Sequence, residues 1–141
     1  MNNKKSIFFH VTEQELQPSN SSYENIDNLN NYESESLESV ILQDTCDYFI
    51  AEDVPVLLSK ICSKIKKSGV LYIQSLDLKQ LCIAVTFDMM PTETIKKVIY
   101  PDKKSIHNMG DILQYLKDQG MKITIKKYIN IFEYYIEAIK Q

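Results

Sequence analysis

The side chains of this 141-residue chain that could do acid–base, nucleophilic or metal chemistry are two histidines, three cysteines and nineteen carboxylates. His10 stands inside the apolar run "SIFFHV". A hydrogen-bonded histidine at a strand end is the plainer expectation there than a catalytic base. His107 precedes a helix-like segment, where hydrogen bonding at the helix entry is expected ahead of proton transfer. Cys46, Cys62 and Cys82 form no CxxC pair and no disulfide framework, so they are expected to be buried free thiols. No histidine has a partner spaced for metal binding, and no metal is expected. No Ser/His/Asp or Cys/His spacing marks a nucleophile. All sixteen basic residues are lysine, so bidentate guanidinium clamps on phosphate or carboxylate are absent. The carboxylate with the most suggestive position is Asp27, at the tip of "YENID".

The elements that would position these groups follow from periodicity and punctuation. "SIFFHV" (6–11) is short, aromatic and β-branched, which predicts a buried strand. "QPSNSS" is a turn cluster, "YENID" (23–27) a short strand, and "NLNNYESESLES" a polar loop with at most one helical turn. "LESVILQ" (37–43) predicts the next strand. Val54, Leu57, Leu58, Ile61, Cys62 and Ile65 recur at helical spacing after Glu52, Asp53 and Pro55, with Gly69 as the expected stop. "VLYIQS" (70–75) then predicts a strand, and Leu78, Leu81, Cys82 and Val85 an apolar helical face. A short helix follows Pro91. Another is expected with Asn108 as N-cap and Gly120 closing its end. The tail predicts two antiparallel strands joined near Ile129–Ile131.

Strands alternating with helices imply an α/β domain, expected to be a single unit over 1–141, with a mainly parallel sheet flanked by helices and a C-terminal antiparallel hairpin. No apolar run approaches the ~20 residues of a membrane span. The opening residues lack a signal-peptide core, so a cytoplasmic protein is expected. Charge is lopsided: residues 6–59 carry eleven acids and no lysine, whereas residues 60–141 carry fourteen lysines and eight acids. The acidic half argues against a nucleic-acid partner, and the asymmetry suits head-to-tail association or an oppositely charged partner.

The order of elements resembles that of the class I S-adenosylmethionine-dependent methyltransferases, notably their small bacterial and phage-borne forms. The resemblance covers nearly the whole chain. "FFHVTE" stands where that family has a strand entering a "GCG"-like loop, and "YENID" matches its "INID" strand end. "SLESVILQDTCDYF" (36–49), "IKKSGVLYI" (65–73), Asp77 and "HNMGDILQYLKDQGM" (107–121) follow in the family's order. The resemblance implies a Rossmann-like methyltransferase fold. It also implies a cofactor, S-adenosylmethionine (SAM), at the strand carboxyl ends. Val11 and Thr12 would run beside the methionine moiety, Asp27 would accept from the ribose hydroxyls, and Gln43 and Asp44 would face the adenine or methionine edge.

The pattern departs at its most demanding place. Glycines let the backbone of that first loop approach the ligand. Here the loop reads Val11, Thr12, Glu13, Gln14, Glu15, and the three glycines stand elsewhere, at 69, 110 and 120. Glu13 and Glu15 add negative charge where a carboxylate of the cofactor must be accommodated. The family's "LEH" is also replaced, by Cys46, Asp47 and Tyr48. The expectation is a retained fold with SAM binding lost, serving as a non-catalytic binding or structural subunit. The alternative is an active SAM-dependent methyltransferase of unknown acceptor. A protein partner or a homo-oligomer is expected, formed through the aromatic C-terminal hairpin with Tyr128, Phe132, Tyr134 and Tyr135.

Overall fold

The short apolar run in "LESVILQ" makes the strand β3, Leu37–Gln43, whose Val40 and Leu42 turn inward to full burial. The computed structural model describes residues 6–10, 22–99 and 103–141. Around β3 stand β1 (Ser6–His10), β2 (Ser22–Asn25), β4 (Ile65–Leu76), β5 (Met121–Tyr128) and β6 (Glu133–Lys140). They form one six-stranded sheet in the order β2-β1-β3-β4-β6-β5. The pairings β1–β2, β1–β3 and β3–β4 are parallel, and β4–β6 and β5–β6 antiparallel. The sheet is therefore mixed, not mainly parallel as expected. The terminal hairpin contributes both of its strands and lays β6 directly against β4.

Four helices are described: α1 (Val54–Lys64), α2 (Leu78–Thr86), α3 (Thr92–Ile99) and α4 (Met109–Asp118). The core lies between one face of the sheet and the apolar stripes of α1 and α4. Leu57, Leu58, Ile61, Ile112 and Leu116 meet Val40, Leu42, Leu71, Ile73 and Ile136 there. Tyr134 is also fully enclosed in this cluster, so it serves the core and no interface. Residues of opposite parity, among them Ile41, Tyr72, Tyr135 and Glu137, are only half-buried. The dense packing is one-sided.

Several elements differ from the sequence expectation for local physical reasons. "YENID" does not run as a strand to Asp27. Asn25 Oδ1 accepts the Asp27 N–H at 2.9 Å and starts a 3-10 helix over Ile26–Asn31. α1 has the expected buried stripe but stops at Lys64, because Ile65 turns extended (φ −76°, ψ 131°) and enters β4. Ile65 fits a helical period and a strand pairing equally well, and it is fully buried either way. Gly69 is thus no helix cap. The register against β3 jumps from Leu37↔Ile65 to Ser39↔Val70, and Gly69 lies in the bulge between, after Ser68 at φ 64°. On α2 only Leu81 and Ala84 are buried; Leu78, Cys82 and Val85 face solvent. That corrects both the expected apolar face and the expectation of three buried thiols. Burial raises the remaining two thiols, Cys46 to about 12 and Cys62 to about 11. Gly120 (φ 75°) ends α4 as its position predicted.

Candidate functional site

The chain leaves β1 for β2 on one side and returns to β3 on the other. In an open α/β sheet such a reversal opens a crevice at the strand carboxyl ends. Register places the expected residues along that edge. His10 pairs with Asn25, and Phe9 with Leu42, so Asn25 and Gln43 flank the end of β1 at one level. Asp27 and Asp44 follow just beyond the ends of β2 and β3. Val11 and Thr12 lie outside the described residues. Asp27 is exposed on its 3-10 turn and lines a cleft of ≈ 190 Å³ with Ile26, Leu29, Phe49, Leu57 and Lys60. Gln43 and Asp44 do not line it.

Asp44 adopts the left-handed conformation (φ 54°, ψ 6°) and donates its N–H to Gln74 O at 2.8 Å. Its buried Oδ1 has no hydrogen-bond partner, and Lys103 Nζ stands off at 3.9 Å. Burial lifts the Asp44 pKa to about 6; Lys103 opposes this, and Asp47 and Glu133 reinforce it. A carboxyl raised in the folded state stabilises below its unfolded pKa of ~3.9, and that contribution is lost as pH rises through about 6. Asp44→Asn removes the ionisation and tolerates positive φ. About two pKa units correspond to ~3 kcal/mol, which partial exposure reduces to ~1–2. The variant is expected to exceed the parent by that amount in urea unfolding at pH 8 and to match it at pH 4. Equal stability at pH 8 would remove the strain assigned to Asp44.

Beneath Asp44 the edge is held by a buried ion pair. Asp47 is 1 % exposed; its Oδ1 accepts from Ser75 Oγ and its Oδ2 from Lys103 Nζ, both at 2.8 Å. Its carbonyl also accepts from the N–H groups of Lys104 and Ser105. Burial pushes the Asp47 carboxyl up, more than Lys103, Ser75 and His107 pull it down. For Lys103, burial opposes the charge, but Asp47 and Asp44 outweigh it and leave the ammonium above the ordinary lysine range. Lys103 was not legible in the sequence: it lies 56 residues from Asp47, with no local spacing to announce the pair.

The neighbouring Asp77 and His107 are structural. Asp77 Oδ1 caps α2 by accepting from Gln80 N at 3.0 Å, and its Oδ2 accepts from Met109 N, at the start of α4, at 2.8 Å. Asn108, the expected cap of α4, instead accepts from Lys79 N at the start of α2. His107 Nε2 lies 2.9 Å from Ser105 Oγ, which itself donates to Phe49 O. The His107 side chain thus ties the segment before α4 to Phe49 through Ser105, and Asp77, not the histidine, serves the helix entry. Asp77→Ala is expected to cost ~2–3 kcal/mol in urea unfolding, since it removes caps from two helices at once. A loss below ~0.5 kcal/mol would contradict this role.

The residues present fit a SAM molecule only in part. Asp27 suits ribose hydroxyls, and Leu29, Phe49 and Leu57 suit an adenine ring. The cleft is nevertheless smaller than the ~300–1,000 Å³ typical of ligand sites. Asp44 adds a carboxylate at the end of β3, and Lys103 beside it is committed to the buried Asp47. Among the described residues no group of three or more metal-ligating side chains occurs, and no helix is long and apolar enough to cross a membrane.

No protein-family model and no curated sequence matches the chain. Solved structures do. An O-methyltransferase family protein from Burkholderia thailandensis superposes with TM-score 0.62 at 16% identity, over 86% of this chain and 36% of that one. Magnesium protoporphyrin IX methyltransferase from Synechocystis, with bound SAH, gives 0.58 at 16% identity, over 86% and 51%. A SAM-dependent methyltransferase from Archaeoglobus fulgidus gives 0.62 at 18% identity, over 95% and 75%. The chain therefore spans about a third and about a half of the first two proteins. At such identities the likeness is one of architecture: the chain has the fold of SAM-dependent methyltransferases.

Proposed function

We propose that this chain is a methyltransferase-like protein that has lost SAM binding and acts as a non-catalytic binding or structural subunit. The observation that carries the reading is the loop after β1, Val11 to Glu15, which holds two carboxylates and no glycine. In methyltransferases of this fold, glycines at that loop let the backbone approach the cofactor; a Cβ in their place would block it and, unlike a glutamate carboxylate, could not swing away. The acidic strand ends and the small cleft beside Asp27 support the same reading.

A ligand that binds only the folded state stabilises it by ~2.7 kcal/mol at one hundred times its Kd. S-adenosylhomocysteine (SAH) at millimolar concentration would then raise the Tm by ~5–10 °C if its Kd were ~10 μM. No rise is expected. A rise of that size would overturn the proposal.

The second reading, an active methyltransferase, draws on two features: the unpartnered Asp44 Oδ1 and the apolar cleft beside an exposed acid. Methyl transfer rests chiefly on positioning, so an absent general base does not count against it. On that reading Asp27→Ala weakens cofactor binding at least about ten-fold, the loss of one charge-assisted hydrogen bond. Unchanged affinity would dismiss it.

A further inference from the structure

We propose that the free edge of β5, with the cleft between it and α4, docks an extended acidic segment of a partner protein as an added strand. Among the described residues β5 pairs only with β6 and ends the sheet. Its sequence, "MKITIKKY", holds Lys122, Lys126 and Lys127 and no acid. The ion pairs found among the described residues include none of these three, nor Lys117 of α4.

Lysines on an edge strand commonly guard against unwanted pairing, and a bare row of them would mean only that. The cleft alongside makes the difference. It measures ≈ 300 Å³ and is lined by Leu113, Lys117, Ile123, Thr124 and Lys126. Leu113 is buried and Ile123 half-buried, while the two lysines and Thr124 are exposed. An apolar floor thus meets a cationic rim.

Register shows how a strand would use it. Ile123 lies opposite Ala138 and Lys126 opposite Ile136, both on the side of the sheet that α4 covers. The two share that side although three residues apart because β5 carries an extra residue, Thr124, between Ile123 and Ile125; a strand added alongside sends alternate side chains to that side. One apolar side chain then enters the cleft, and acids beside it meet Lys117 and Lys126. On the other side acids meet Lys122 and Lys127, next to exposed Ile125. In such additions main-chain hydrogen bonds give affinity and the pocket gives selectivity. A second copy joined β5 to β5 would set lysine against lysine, which repels.

The inference names a partner chemistry for the binding role proposed above, yet it fails separately: SAH binding would defeat that role and leave this edge untouched. The probe is a blocked seven-residue peptide with one central valine between three glutamates on each side, which presents acids on both faces and one apolar residue to the cleft; it is titrated onto the full chain at low salt and followed by fluorescence anisotropy. Saturable binding is expected, with none for the lysine–valine counterpart. A central valine-to-proline change should weaken it at least about ten-fold, because proline removes a strand hydrogen bond. The double variant Lys117→Glu/Lys126→Glu should weaken it similarly, and binding should slow amide exchange along β5. Five results would each overturn the inference: no binding, equal binding of the proline peptide, equal binding of polyglutamate, equal displacement by a single-stranded oligonucleotide, or self-association through β5.

Discussion

Gly69→Ala is expected to destabilise the protein by about 3 kcal/mol, at the upper end of what overpacking costs. A Cβ at that position would stand 2.6 Å from Ile65 Cγ2 and 2.9 Å from both Glu38 O and Lys66 O. Two of these atoms are backbone, and Ile65 is fully buried, so none has room to yield. The strain falls on the bulge that seats β4 against β3, in the middle of the sheet. A drop in Tm of ~6–12 °C is expected. Ser68→Gly is the internal control: Ser68 already holds φ 64°, so glycine there should be neutral or gain up to ~1 kcal/mol. A Gly69→Ala protein within ~0.5 kcal/mol of the parent would contradict the close approach.

Lys103→Met is expected to cost ~3–5 kcal/mol, the usual consequence of stripping one partner from a buried ion pair. Lys103 is 13 % exposed and Asp47 1 %, so neither charge can turn to water. Without the ammonium, Asp47 keeps only the Ser75 hydroxyl on its side chain. Its carboxyl, already raised by burial, rises further. A raised carboxyl stabilises at low pH and loses that contribution as pH climbs, so the deficit of the variant should shrink between pH 8 and pH 5. Asp47→Asn in the Lys103→Met background should recover much of the loss, and the double-mutant cycle gives the coupling directly. A pH-independent cost below ~1 kcal/mol would show that the pair does not brace this edge.

Legibility in the sequence followed the range of the interactions. β3 was readable to the residue because "LESVILQ" is a short apolar run between polar segments, and Leu37, Val40 and Leu42 are buried in it. α4 was readable at its end because Gly120 supplies the positive φ that stops a helix. The hairpin connection was readable too, and Asn130 Oδ1 holds it by accepting from Phe132 N and Glu133 N. What escaped was set by contacts far along the chain. Ile65 obeys both periods, and only its pairing with Leu37 decides for a strand. Asp77 stood in the sequence only as the acid that follows β4, and Met109, 32 residues on, makes it a shared cap. Asp27 arrived at the expected edge in a different local structure, since the Asn25 side chain captured its N–H first.

The same division applies to the candidate site. Strand order brings Gln43 and Asp44 to the carboxyl end of β3 and Asp27 to the turn after β2, the places that the resemblance, and no local spacing, implied for them. The burial of Asp47 and the reach of Lys103 depend on a segment before α4 that no spacing in the sequence links to β3. Such pairs are invisible to any reading based on local period.

The most direct measurement is isothermal titration of the full chain with SAM and with SAH. The account rests on the glycine-free sequence Val11 to Glu15, whose Cβ atoms would exclude the donor from the place where glycines admit it. It predicts no saturable heat for either compound up to millimolar concentration. One-to-one binding in the micromolar range would contradict it and restore the chain to the cofactor-using enzymes whose fold it shares.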